Sequence, residues 1–192
     1  MGENVPKILT TYSALDFIVA LEKKGGIHLL NSNGEVQWKV RSKSTYHIEI
    51  VNKNQLIHSS SKDELIIRDH QGDILKRSTM FPHFSNFAIC NWPKQQDREY
   101  IISYAHSDHT IRICDFEGNE VRRFDAKDGK GSRYARKVWG VPVKLDAHTP
   151  DYFAILLKTG KPSPKSILYV YDSTGQLVFQ ENITERCESI AA

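Results

Sequence analysis

Ile111-Arg-Ile-Cys-Asp-Phe-Glu-Gly118 decides the fold, because its pattern returns three more times without a gap. The other copies are Ile27-His-Leu-Leu-Asn-Ser-Asn-Gly34, Leu65-Ile-Ile-Arg-Asp-His-Gln-Gly72 and Leu168-Tyr-Val-Tyr-Asp-Ser-Thr-Gly175. Each has an apolar residue, a second one two positions on, then Asp or Asn, then Gly three positions later. Such apolar pairs repeat with the period of a strand and put each pair on one face. The Asp or Asn opens a tight turn, since its short side chain can bond the backbone ahead. The Gly supplies the positive φ that a hairpin turn of this length needs. These residues, Asn31 and Gly34, Asp69 and Gly72, Asp115 and Gly118, Asp172 and Gly175, are read as structural corners.

Working outward from each corner, a further strand follows: Glu35–Trp38, Asp73–Lys76, Asn119–Arg122 and Gln176–Phe179. Another precedes it: Asp16–Leu21, Gln55–Ser59, Tyr100–Tyr104 and Tyr152–Leu157. An innermost strand is expected before that, around Lys7–Thr10, Tyr46–Ile50, Asn86–Cys90 and Lys137–Val141. The corner glycines are 38, 46 and 57 residues apart, which brackets a four-stranded unit of about 40–50 residues. The reading is all-β: a β-propeller of four four-stranded blades, at residues 6–40, 45–79, 84–124 and 134–181, forming a single propeller domain or fragment over 1–192. A β-sandwich also has alternating strands, but does not explain one Asx-x-x-Gly corner at a fixed point in every unit. Residues 182–192 read as a tail or as the start of a further blade's inner strand. Three assemblies fit four blades: part of a longer propeller, a half-ring that dimerises into eight blades, and a closed four-blade ring.

The third unit, Ile101–Asp115 followed by Phe116–Phe124, resembles a WD40 blade. The fourth, Ser166–Phe179, resembles the bacterial propellers of quinoprotein-like type. The chain departs from the WD40 pattern: the first unit has Asn31 for Asp, none has Trp before that position, and no Gly-His pair starts a blade. The resemblance implies a divergent propeller. Such families are mostly rigid binding platforms, with a minority of enzymes, and fold does not choose between them.

The composition is that of ordinary globular material, 40% hydrophobic and 26% charged, with a net charge of +3. A charge so mild does not itself imply a nucleic acid or a membrane. Cys90, Cys114 and Cys187 are odd in number and far apart, which argues against a disulfide framework and a Cys-x-x-Cys zinc site and for free thiols. Met1–Lys7 shows no basic stretch leading into an apolar core, and no window is long and apolar enough for a membrane helix. The expected compartment is the cytoplasm. Asn182-Ile183-Thr184 matches a glycosylation sequon, without meaning in that compartment.

Propellers present ligand-binding loops at the channel ends. Here those loops are Lys43–Thr45, Met80–Phe84, His106–Asp108 and Gly131–Arg136. Met80-Phe81-Pro82-His83-Phe84 sets two aromatics and His83 in a connecting loop, a composition suited to a partner surface. Asp125–Lys137 carries Lys127, Lys130, Arg133, Arg136 and Lys137 around Tyr134, residue types that grip a phosphate backbone or an acidic peptide but also make a solvated loop. It lacks the order of a nucleotide P-loop. Asp125 and Asp128 beside Gly129 lack the spaced acids of a calcium loop. His106 and His109 flank Asp108, yet a tight turn suits His109 as a backbone-bonding residue better than as a metal ligand. Ser103, His106 and Asp108 do not converge as a triad must. Phe87, Trp92 and Trp139, with Phe81 and Phe84, read as packing between blades.

The binding candidates are therefore Phe81, His83, Phe84, His106, Asp108, Lys130, Arg133, Tyr134 and Arg136, with no catalytic residue, metal or cofactor expected. The expected function is a non-enzymatic scaffold that binds a protein or peptide, or a second copy completing a ring. The alternatives are a propeller-type hydrolase or lyase, and nucleic-acid binding through residues 125–137.

Overall fold

A largely buried strand followed by a largely exposed one is the recurring local unit of this chain. The computed structural model describes residues 13–14, 17–21, 26–41, 48–51, 55–59, 64–79, 87–92, 95–105, 108–126, 137–144, 151–159, 166–185 and 187–191. They divide into two compact units, Met1–Met80 and Phe81–Ala192.

The first unit holds two sheets. One is β1 (Ser13–Ala14), β2 (Phe17–Leu21), β3 (Gly26–Asn31) and β4 (Val36–Arg41). The other is β5 (Ile48–Val51), β6 (Gln55–Ser59), β7 (Glu64–Arg68) and β8 (Ile74–Thr79). The second unit also holds two. These are β9 (Phe87–Trp92), β10 (Gln95–Ala105), β11 (Thr110–Cys114) and β12 (Glu120–Asp125), then β13 (Lys137–Val143), β14 (Tyr152–Lys158), β15 (Ser166–Asp172) and β16 (Leu177–Ile183). Every sheet is a meander in chain order, and every pairing is antiparallel. Hairpin connections produce this order directly, because each antiparallel neighbour is reached through a short turn. The expected innermost strand at 7–10 lies outside the described residues; the first sheet's described inner strand is β1, with Ser13 opposite Ile18.

On these two middle strands both faces lose water: Leu65, Ile66 and Ile67 are all buried on β7, as are Ile27, His28 and Leu29 on β3. A middle strand of a blade has neighbours on both faces, so its two side-chain rows both leave water. The fourth strands alternate instead, mostly exposed with every other residue partly covered in β4 and β8.

Two cores result. In the first unit Val19, Leu21, Ile27, Leu29, Ile48 and Leu56 cluster, with Trp38 and Ile50 against them. In the second unit the core is aromatic. Trp92 lies 4.9 Å from Phe153 and 6.0 Å from Phe124, and Phe124 lies 4.2 Å from Tyr171. Phe87 and Trp92 are buried and Trp139 packs against this core; Phe81 and Phe84 lie outside the described residues.

Residues 187–191 form no strand. The Cys187 N–H donates to Ser166 Oγ at 3.1 Å, and Glu188 pairs with Lys158, so this segment lies along β14 and β15. Among the described residues no helix is long and apolar enough to cross a membrane.

Candidate functional site

The corners come first, since they set where everything else points. In all four, Oδ1 of the Asx residue accepts the N–H two residues ahead at 2.9–3.0 Å and the N–H four ahead at 2.8–2.9 Å. The glycine N–H returns to the Asx carbonyl at 2.9–3.1 Å. The glycine φ is +82° at Gly34, +90° at Gly72 and +93° at both Gly118 and Gly175, a region open to residues without Cβ. One side chain thus satisfies two main-chain donors that a three-residue loop would otherwise leave to water. Just beyond each corner the register slips by one residue, at Gln37, Leu75, Val121 and Val178. Such a bulge increases the local twist of the outer strand.

Hydrogen bonds hold three corner and loop carboxylates ionised. Burial opposes the charge on Asp115, but bonds from Asn119 and Glu117, and the Arg98 charge, outweigh it and hold its carboxyl below the usual range. Bonds from Thr174 and Gln176 do the same at Asp172. At Asp108 slight burial is outweighed by bonds from Thr110 and Arg112.

Asp108 is the one binding candidate within the described residues. It is exposed on the turn between β10 and β11, where it accepts Thr110 Oγ1 at 2.7 Å and pairs with Arg112. Its neighbour His109 has a φ of +56°, and its carbonyl accepts the Ala126 N–H at 3.0 Å. The His109 ring is hydrogen-bonded to the Tyr104 hydroxyl at 2.9 Å. These bonds tie the turn to the end of β12. Ser103 is buried. Phe81, His83, Phe84, His106, Lys130, Arg133, Tyr134 and Arg136 lie outside the described residues, as does the rest of the 127–136 loop. Among the described residues no three His, Cys, Asp or Glu side chains gather as metal ligands would.

Two features escaped the sequence. A cleft of about 270 Å³ opens between the end of β12 and the β15–β16 turn, lined by Arg123, Phe124, Asp125, Tyr171, Gly175 and Leu177. In addition, all seven exposed large hydrophobic residues among those described lie on fourth strands, three of them consecutive: Leu177, Val178 and Phe179. The apolar run of β16 was visible in the sequence; its exposure was not, because exposure depends on what packs beyond the sheet.

No family model matches the chain, and no curated protein does. Solved structures do. A chain of the mitotic checkpoint complex is 14% identical with a TM-score of 0.60, over 93% of this chain and 52% of that one. The WD40 domain of Pan2 from Neurospora crassa is 10% identical with a TM-score of 0.58, over 92% and 52%. BamB from Moraxella catarrhalis is 15% identical with a TM-score of 0.51, over 89% and 48%. The chain spans about half the length of these structures. Four meander sheets, one Asx-glycine corner in each and this likeness identify a WD40-like β-propeller fold.

Proposed function

We propose that the chain is a protein-binding scaffold whose outer strands, β16 above all, take part in the contact. The carrying observation is the exposed Leu177-Val178-Phe179 run, whose residues are 36%, 50% and 49% exposed. Contiguous exposed apolar surface of this kind marks interaction sites in soluble proteins. The four corner motifs supply the rigidity such a platform needs. The WD40-fold neighbours favour protein partners in general.

The test is retention of proteins from an extract of the source cells by the immobilised whole chain. The comparison is a Val178→Lys/Phe179→Lys variant with an unchanged thermal melt. A discrete set of proteins held by the wild type and released by the variant supports the reading. An identical set on both, or none on either, sinks it.

A further inference from the structure

The cleft beside β12 differs from the apolar run of β16 in having a charged rim over an aromatic floor. Phe124 and Tyr171, 4% and 3% exposed, form the floor with their rings 4.2 Å apart. Arg123, Asp125 and Leu177 stand exposed around it. At about 270 Å³ the space falls just below the roughly 300–1,000 Å³ usual for small-molecule sites. It therefore suits a single side chain.

The rim charges select which. Arg123 gives two hydrogen bonds to Glu120, at 2.9 and 2.8 Å, so its guanidinium is already matched on its own strand. The Asp125 carboxylate makes no hydrogen bond or ion pair among the described residues. Counting the linked charges, Arg112 and Arg123 against Asp108, Glu120 and Asp125, leaves one negative charge in excess. Beneath, the buried Tyr171 hydroxyl has no hydrogen-bond partner among the described residues. Burial, and then the Asp125 charge, holds it protonated. An exposed carboxylate without a partner among the described residues, beside an aromatic wall, favours a cation on an apolar stem. An anion would meet Asp125 and find Arg123 occupied.

We infer that this cleft receives a lysine side chain of a partner protein, its ammonium at Asp125 and its stem against Leu177 and Phe124. This rests on the scaffold reading above and names what the partner offers.

The test titrates the ¹⁵N-labelled whole chain with N-acetyl-lysine N-methylamide, beside the norleucine analogue, which keeps the stem and lacks the ammonium. The lysine probe is expected to shift the amides of residues 123–126 and 171–177 saturably. Asp125→Asn, an exposed and nearly isosteric change, is expected to weaken binding about fivefold. Equal shifts from norleucine, an unaffected Asp125→Asn variant, or no shifts at these residues would overturn the inference. A preference for N-acetyl-glutamate N-methylamide would overturn it in favour of an anion at Arg123. Loss of the lysine response while proteins are still retained through β16 sinks this inference alone. A lysine response without any retained protein sinks the scaffold reading and leaves the cleft a lysine site.

Discussion

The indole Nε1 of Trp38 on β4 donates a 2.9 Å hydrogen bond to the main-chain carbonyl of His70, inside the corner of the following sheet. Its ring lies over Gly72, where a Cβ would come within 2.9 Å of Trp38 Cδ2. Gly72 also has a φ of +90°. Gly72→Ala therefore meets backbone strain and a collision together, and should cost about 2–3 kcal/mol in urea unfolding. Trp38→Phe keeps an aromatic ring but drops the bond, and should cost about 1 kcal/mol. If Gly72→Ala proved neutral, the seating of Trp38 on this corner would be wrong.

The pair His58 and Arg68 makes stability depend on pH. Arg68 Nε donates to His58 Nε2 at 3.2 Å, and Arg68 also donates to the Gly72 carbonyl at 2.7 Å. His58 is buried, and that burial lowers its pKa to about 4, with Arg68 and Arg77 adding to the effect and the Ser59 carbonyl opposing it. The ring is thus neutral when folded, while the unfolded chain takes up the proton near its ordinary value of 6.5. Below that value the unfolded state binds more protons. The contribution is therefore complete above pH 6.5 and lost as pH falls towards 4, about 3 kcal/mol in all. His58→Gln should flatten the stability curve in this window, whatever its effect at pH 7. A slope unchanged by the substitution would show that His58 titrates normally in the fold.

The cysteines should separate by reactivity. Cys90 and Cys114 are buried, and burial pushes both thiols up, Cys114 to about 12. Little thiolate forms at neutral pH, so neither is expected to react with a thiol reagent in the native state. Cys187 is partly exposed and should react first. Stoichiometry with Ellman's reagent reads this directly: about one thiol per native chain, and all three after denaturation. Fast modification of two or more would contradict the packing of β9 and β11.

Gly140 tests packing without backbone strain. On β13, opposite Ile155, a Cβ would sit 2.5 Å from Phe153 Cζ and 2.9 Å from Ile102 Cδ1. Both neighbours are buried, so neither can swing clear. Gly140→Ala should destabilise by about 1–3 kcal/mol, and the companion change Phe153→Leu should recover part of the loss. A fully stable Gly140→Ala variant would mean that β13 sits farther from β14 than described.

Four corners were legible from sequence because each is local: an Asx carbonyl, an Asx side chain and a glycine lie within five residues, and their bonds need no distant partner. The meander order followed from the same feature, since short turns join antiparallel neighbours. The candidate sites were less legible. Of the binding residues read from loop composition, only Asp108 falls within the described residues, and its hydrogen bonds run to its own turn, to Thr110 and Arg112. The Phe124–Tyr171 floor, the open carboxylate of Asp125 and the exposed edge of β16 join residues about 45 or more positions apart, or depend on what lies beyond a sheet. His58 and Arg68 show the same division. Each sits in an apolar run that reads as an ordinary strand, and only packing on both faces of β6 and β7 buries the two together and lowers the pKa of the imidazole. Sequence alone determined what short-range bonding controls, the strand and its corner. Tertiary structure decided burial, ionisation and the cleft, because these depend on which side chains meet across sheets.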